Sequence, residues 1–371
     1  MSEKTGVAAV VRRYNEPLEL VEYPVPHAEA NALVVEVDVA TMCGSDVHAW
    51  EGAYEGVLPV EPPLILGHEV VGKVVEIGPG AELDSLGTPL APGDRVIWTH
   101  ESCGHCWACT IDKEPTLCPE RKLGMFTSAE TWPHFNGTFA QYSYVWPRAG
   151  RLRVPDGLKS SWASAASCAL RTVVNAIERA GRIDYLDTVL IQGSGPVGLY
   201  MTAMASVHRP RNLIVIGAPD ERLEVARSYG ATHTISIDAH PDAAERIALV
   251  REIDPRGASV AFECAGAPNA VTEGIEMIAT SGRYVLVGSV MGSPQPLVAH
   301  RIVNRGLTVM GSFGGHIDSY FKAMEFMQAN SDRFDWDLVL GRHYGLDEVG
   351  DALRNMQEAT DIKPIIETTV G

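Results

Sequence analysis

Apolar and polar positions follow two different rhythms along the chain. Over the first 165 or so residues they alternate in short runs. "LVVEVDVA" (Leu33 to Ala40) interleaves apolar and acidic residues, and "HEVVGKVVEIG" (His68 to Gly78) carries glycines suited to bends or bulges. That pattern predicts an antiparallel, barrel-like unit with one face buried. From about residue 170 to 312 the strands are instead continuous apolar runs separated by helical periods. "TVLIQ" (Thr188 to Gln192) enters a glycine turn and an apolar helix, and "NLIVIG" (Asn212 to Gly217) follows, which is a βαβ unit. Further strands are predicted at "SVAFEC", "GRYVLVG" and "LTVMG", and the tail "KPIIETTVG" reads as a last strand returning to the first unit. No internal repeat is present. The expected organisation is therefore α/β in two domains: a mainly-β unit over 1–168, a βαβ-type unit over 169–312, and a C-terminal return over 313–371. A chain of 371 residues exceeds what one core usually organises.

Composition narrows the partners. The formal net charge of -17 sets a repulsive field against nucleic acid, anionic membrane and polyanionic substrates, and no basic patch overrides it. The opening "MSEKTGVAAVVRRYNEP" has no apolar core of signal-peptide length, and no apolar run reaches the roughly 18 residues of a membrane span. A cytoplasmic protein with reduced thiols is expected. That compartment bears on "ESCGHCWACTIDKEPTLC" (Glu101 to Cys118), which holds four of the seven cysteines. Two disulfides there would need an oxidising environment. The C-x2-C-x2-C spacing of Cys103, Cys106 and Cys109, with Cys118 after a short loop, suits one tetrahedral zinc ion. With no open ligand position, it reads as a structural staple and not as the reaction centre.

"GSGPVG" places Gly193, Gly195, Pro196, Val197 and Gly198 directly after a strand and at a helix start. A merely tight strand-helix turn would look similar, but this context suits a pyrophosphate held by free N–H groups and the helix dipole. One departure concerns the end of the next strand, where Gly217 stands in place of the usual ribose-binding carboxylate. Ala218 and Pro219 follow, then Asp220 and Glu221, which favours NAD. Arg222 could reach either a ribose or a phosphate, which leaves NADP open.

Two upstream motifs carry chemistry, "CGSDVH" (Cys43 to His48) and "GHEVVG" (Gly67 to Gly72), and "SCALRT" adds Cys168. Cys43, His68 and Cys168 are zinc-compatible ligands that leave one position open. Beside a nicotinamide, such a site suits alcohol oxidation. Taken alone, Cys168 would be an ordinary buried residue and His48 an ordinary surface one. Cys264 has no partner by spacing, and His100, His105, His134 and His316 lack a motif.

Together these motifs resemble the zinc-dependent medium-chain alcohol dehydrogenases from about residue 7 to the C-terminus. The anchors are G-H-E-x2-G-x5-G at Gly67 to Gly78, C-G-S-D-x-H at Cys43 to His48, "GDRV" at Gly93 to Val96, the four-cysteine lobe, and Gly193/Gly195/Gly198. The lobe departs slightly, with eight residues between Cys109 and Cys118 where many relatives have seven. The resemblance implies a Rossmann-type doubly wound parallel sheet domain, a mainly-β GroES-like catalytic domain, and a homodimer or homotetramer. It also implies a catalytic zinc on Cys43, His68 and Cys168 with Glu69 nearby, and a second zinc on the lobe cysteines. Ser45 matches the family's hydroxyl that hydrogen-bonds the alcohol, His48 its proton relay, and Asp46 a carboxylate that orients an imidazole.

The expected activity is reversible hydride transfer between a small-molecule alcohol or carbonyl and NAD(P). A zinc-free enone reductase would lack the three ligands, and a non-catalytic nucleotide-binding protein would have no use for Ser45 and His48. Six of seven tryptophans (Trp50, Trp98, Trp107, Trp132, Trp146, Trp162) precede Cys168, and Tyr54 and Phe126 lie near the motifs. Two or three of these aromatics are expected in the pocket, favouring a bulky cyclic or aryl-bearing alcohol. "CGSDVHAW" also resembles the polyol and threonine dehydrogenase branches.

Overall fold

The computed structural model describes residues 4–58, 60–288 and 297–368, and these fall into two units. The first unit runs to Arg171 and regains the chain at Gly315–Ser331 and from Leu340 onward. It begins with β1 (Thr5–Val11), β2 (Glu19–Pro24), β3 (Leu33–Thr41), α1 (Gly44–Trp50), β4 (Leu64–Ile65), β5 (Glu69–Ile77) and β6 (Arg95–Trp98). The short α2 (Trp107–Thr110), β7 (Tyr142–Val145), β8 (Arg151–Arg153) and α3 (Ser160–Ala165) follow. A single π-helical turn, Ala166–Leu170, joins α3 to α4 (Arg171–Ala180).

The second unit carries β9 (Thr188–Gln192), α5 (Pro196–Val207), β10 (Asn212–Gly217), α6 (Asp220–Ser228), β11 (His233–Ser236) and α7 (Ala243–Ile253). It continues through β12 (Ala258–Glu263), α8 (Ala270–Met277), β13 (Ile278–Leu286), α9 (Ala299–Arg305) and β14 (Thr308–Gly311). The chain then re-enters the first unit as α10 (Ile317–Ala329). After a segment in the second unit (Asp332–Val339), built around the buried Trp336, it adds β15 (His343–Tyr344), α11 (Val349–Gln357) and β16 (Ile365–Ile366) to the first.

In the first unit the alternating run at Leu33 becomes the centre of a seven-stranded sheet, ordered β15-β16-β3-β5-β6-β8 with β7 also on β3. β3 and β5 pair antiparallel, with Thr41 opposite Glu69 and two register shifts along the way. That register brings the chain just after β3, where Cys43 sits, beside the start of β5, where His68 sits. β16 pairs antiparallel on the other side of β3, Ile365 opposite Thr41, so the tail reaches the same end of the sheet. The last three residues of the expected tail strand lie outside the described residues. One face of the sheet buries Val37, Ala40, Met42 and Val70 against Trp50 of α1 and Leu353 of α11. Fully burying a valine, leucine or methionine side chain contributes about 1.5–3 kcal/mol.

The second unit is a six-stranded all-parallel sheet in the order β11-β10-β9-β12-β13-β14, and its order reverses between β9 and β12. This is the Rossmann-type doubly wound arrangement. Every residue of β9 is buried, as expected for a strand covered on both faces. Strand β13 starts at Ile278, earlier than "GRYVLVG" suggested, because Ile278 pairs with Ala258 ahead of a register shift. Among the described residues no helix is long and apolar enough to cross a membrane.

Candidate active site

Cys43 ends the extended chain after β3 and caps α1. Its N–H donates to Asp46 Oδ2 at 2.8 Å, satisfying one of the amides a helix start leaves open. Asp46 is fully buried. Its Oδ1 accepts from Gly67 N–H at 3.0 Å and from His68 Nδ1 at 3.2 Å. The Nδ1 proton is thereby directed to the carboxylate, and Nε2 is left to face the other donors. Cys168 Sγ and Ser45 Oγ each lie 3.4 Å from His68 Nε2. One ligand atom from each of Cys43, His68, Glu69 and Cys168 lies within 4.8 Å of all the others.

The charges of this cluster act on one another. A hydrogen bond from Cys168 holds the Cys43 thiol well below its ordinary pKa despite burial, and the same bond pushes Cys168 well above. Burial works against a charged His68, yet Asp46 and Cys168 outweigh it and keep the imidazole's pKa well above the usual value. Two sulfurs and an imidazole nitrogen, with the protons on Cys168 and His68 there for a cation to displace, make a donor set that fits zinc.

Glu69 stands behind them. It is fully buried and pushed up to about 7, by burial foremost. Its Oε2 accepts from Thr41 Oγ1 at 2.6 Å and is ion-paired with Lys363, which is 1% exposed and also donates to Met42 O at 3.3 Å. Among the described residues Oε1 has no hydrogen-bond partner. The sequence reading missed Lys363. The one local signal is a lysine two residues before an apolar pair in the tail, which by itself suggests a solvated side chain.

His48, on the exposed face of α1, has its Nδ1 3.5 Å from Glu51 Oε2, and Glu51 in turn accepts from Gln357 of α11. Two of the candidate aromatics belong to this neighbourhood. Tyr54 packs against Phe126 with ring centroids 5.0 Å apart. Burial, and after it the charge of Cys43, push the Tyr54 phenol up to about 12, so it stays neutral. Trp50 points elsewhere: it lies in the core, with Nε1 donating to Glu16 O at 2.9 Å. Trp132 stacks edge-on with Tyr144 and Trp146, and Trp107 lies on the lobe surface.

The lobe cysteines also converge. Cys103, Cys106, Cys109 and Cys118 offer sulfurs within 4.8 Å of one another, Cys106 and Cys109 at 3.4 Å. All seven cysteines are free, and that separation is far beyond the roughly 2.05 Å of a disulfide. The N–H of His105 pulls the Cys103 thiol down to about 6 against burial, favouring the thiolate a metal needs.

The glycine turn lies in the second unit. Gly193 has φ +111°, and a Cβ on Gly198 would lie 1.9 Å from Gly193 O, so only glycine lets α5 start this close to β9. Gly195 caps α5 and Pro196 and Val197 open it, with proline where its missing N–H costs nothing. Gly217 ends β10. A Cβ there would meet Ser194 Oγ at 2.3 Å, and Ser194 in turn donates to Ala218 O at 3.0 Å. Ser194 therefore fills the space that a carboxylate side chain at 217 would need. Arg222 sits half-buried in the first turns of α6.

Residues 29–156 match the family model described as the alcohol dehydrogenase GroES-like domain, and residues 196–329 that described as zinc-binding dehydrogenase. The chain is 32% identical over 367 residues to the 5-exo-hydroxycamphor dehydrogenase of Pseudomonas putida, covering 98% of this chain and 99% of that protein. It is 30% identical over 362 residues to an L-threonine 3-dehydrogenase of Pyrococcus horikoshii, covering 96% and 97%. The crystal structure of an alcohol dehydrogenase from Thermotoga maritima superposes with a TM-score of 0.88 at 29% identity, covering 98% and 99%.

Proposed function

Because the chain belongs to the zinc-dependent medium-chain alcohol dehydrogenase family, we propose that it interconverts a bulky cyclic or aryl-bearing alcohol and its ketone or aldehyde with NAD. The observation that carries the reading is the convergence of Cys43, His68 and Cys168 around an imidazole whose Nε2 Asp46 turns toward both sulfurs. Zinc held there supplies Lewis acidity, and a nicotinamide supplies the hydride acceptor. The remaining work falls to side chains. Ser45 Oγ accepts the hydroxyl proton of the alcohol and gives up its own in the same exchange, and His48, half-exposed beside Glu51, takes on that proton and releases it to solvent. The four lobe cysteines hold a second, structural zinc. Gly193, Gly195, Pro196, Val197 and Gly198 form the pyrophosphate cradle, with Gly217 and Arg222 at the ribose end.

The substrate class rests on the neutral Tyr54–Phe126 pair and on the camphor-alcohol name of one relative. The test compares kcat/KM for 1-phenylethanol, cyclohexanol, ethanol, sorbitol and threonine, each with NAD and with NADP. The cyclic and aryl alcohols should lead, with NAD preferred. A polyol or threonine ahead by about tenfold, some 1.4 kcal/mol of discrimination, would overturn the apolar pocket. The second reading, a polyol- or threonine-type dehydrogenase, is favoured by the threonine 3-dehydrogenase relative.

His48→Ala should slow alcohol oxidation most at low pH and recover partly as pH rises, because hydroxide then substitutes for the missing relay. A pH profile parallel to the parent's would rule the relay out.

A further inference from the structure

Arg171 is 6% exposed, and among the described residues no carboxylate pairs with it. A guanidinium is always charged, and burying it unpaired is costly, so its surroundings call for a reason. Its Nε donates to Ser167 O at 2.8 Å, and its Nη1 donates to Gly315 O at 3.0 Å, at the point where the chain re-enters the first unit. The guanidinium lies 5.0 Å from the ring centroid of Tyr320 on α10, itself 2% exposed. All three contacts bear on the π-helical turn that carries Cys168.

Such a turn disrupts the regular ladder. The N–H of Arg171 reaches back five residues to Ala166 O, and the Ser167 carbonyl accepts from the arginine's own side chain. Ser167 is pinned from the other side as well. Its hydroxyl accepts from Val70 N–H at 3.2 Å and donates to Ser164 O at 2.7 Å. The residue before Cys168 is thus tied through its hydroxyl to the strand that follows His68, and through its carbonyl to Arg171. Burial works against the charge of Arg171, and the fields of Tyr320 and then of Cys168, Glu69 and Cys43 outweigh it.

Resting on the reading that Cys43, His68 and Cys168 hold a metal ion, we propose that Arg171 is a positioning residue: it clamps the π turn to the Gly315–Tyr320 segment so that Cys168 Sγ faces His68 and Cys43. The clamp needs the planar fork of arginine, which bonds two carbonyls while lying against an aromatic ring. A lysine has the charge without the fork.

The experiment follows transfer of zinc from the full, zinc-loaded chain to the dye 4-(2-pyridylazo)resorcinol. Cys43→Ser and Cys103→Ser assign the two release phases to the donor set and the lobe. Arg171→Met should speed the donor-set phase roughly tenfold, the size expected when a group supporting a ligand is lost, and leave the lobe phase unchanged. Arg171→Lys should remain fast. In a Cys168→Ser background Arg171→Met should add less than about twofold, because the thiol it positions is gone. Tyr320→Leu, which keeps the arginine but removes its platform, gives a milder variant should Arg171→Met fail to fold, and should speed the same phase about threefold. Full rescue by lysine, an equal effect in the Cys168→Ser background, or acceleration of both phases would each overturn the positioning role. If the parent chain shows no donor-set phase, the metal reading falls and this inference with it. If it shows that phase and Arg171→Met and Tyr320→Leu leave its rate unchanged, only the positioning role falls.

Discussion

Cys43→Ser and His68→Ala are each expected to leave alcohol oxidation at roughly a thousandth of the parent rate or less, equivalent to about 4 kcal/mol of lost transition-state stabilisation. The fold should survive, because neither side chain carries much of the core. Cys43 holds α1 through its main-chain N–H, which serine keeps, and the His68 ring is one of three donors to contacts with Asp46. Circular dichroism and thermal melting close to the parent's, with turnover gone, would place the loss in chemistry. Retained turnover in both variants would mean that the reaction does not use this donor set.

The second large effect concerns the ion pair beneath it. Lys363→Met should destabilise the chain by about 3–5 kcal/mol near pH 8, because Glu69 would be left as a buried charge with only Thr41 to bond it. The sign with pH follows from the raised pKa of Glu69, about 7 in the folded chain against an ordinary 4.5. A carboxyl that binds its proton more tightly when folded loses stability as pH rises from its unfolded value through its folded one. Without Lys363 that folded value climbs further, so the penalty should shrink toward pH 5, where Glu69 is protonated and needs no cation. Lys363→Met combined with Glu69→Gln should recover most of the loss. Denaturant midpoints at the two pH values measure this, and a penalty independent of pH would show that the pair is not what the lysine serves.

How legible these features were in the sequence differs by residue. β9 and β10 were readable to the residue, since a strand buried on both faces is a continuous apolar run with glycines at its end. The four lobe cysteines could be grouped because their spacing is local, whereas Cys43, His68 and Cys168 lie far apart in sequence and were grouped only by their motifs and the resemblance those carry; the fold brings the atoms of each group within 4.8 Å of one another. The partners that orient them were mostly not readable. Asp46 could be read because it lies within the Cys43 motif, but Lys363 meets Glu69 only through the pairing of Ile365 with Thr41, a contact more than 300 residues apart in sequence. Arg171 looked like any arginine near a helix start, and nothing local reports a π turn. Trp50 was misleading for a related reason: it lies two residues beyond the motif, but its ring faces the core, and periodicity over a seven-residue helix is too short to tell the faces apart. Gly217 broke the expected nucleotide pattern, and only the packing of Ser194 explains why.

Metal content tests the central claim most directly. Elemental analysis of the purified chain should find two zinc ions per chain, falling to one in Cys43→Ser with loss of turnover, and to one in Cys103→Ser with loss of thermal stability. A full-length, active chain that carries one ion or none, and whose content neither substitution changes, would contradict it.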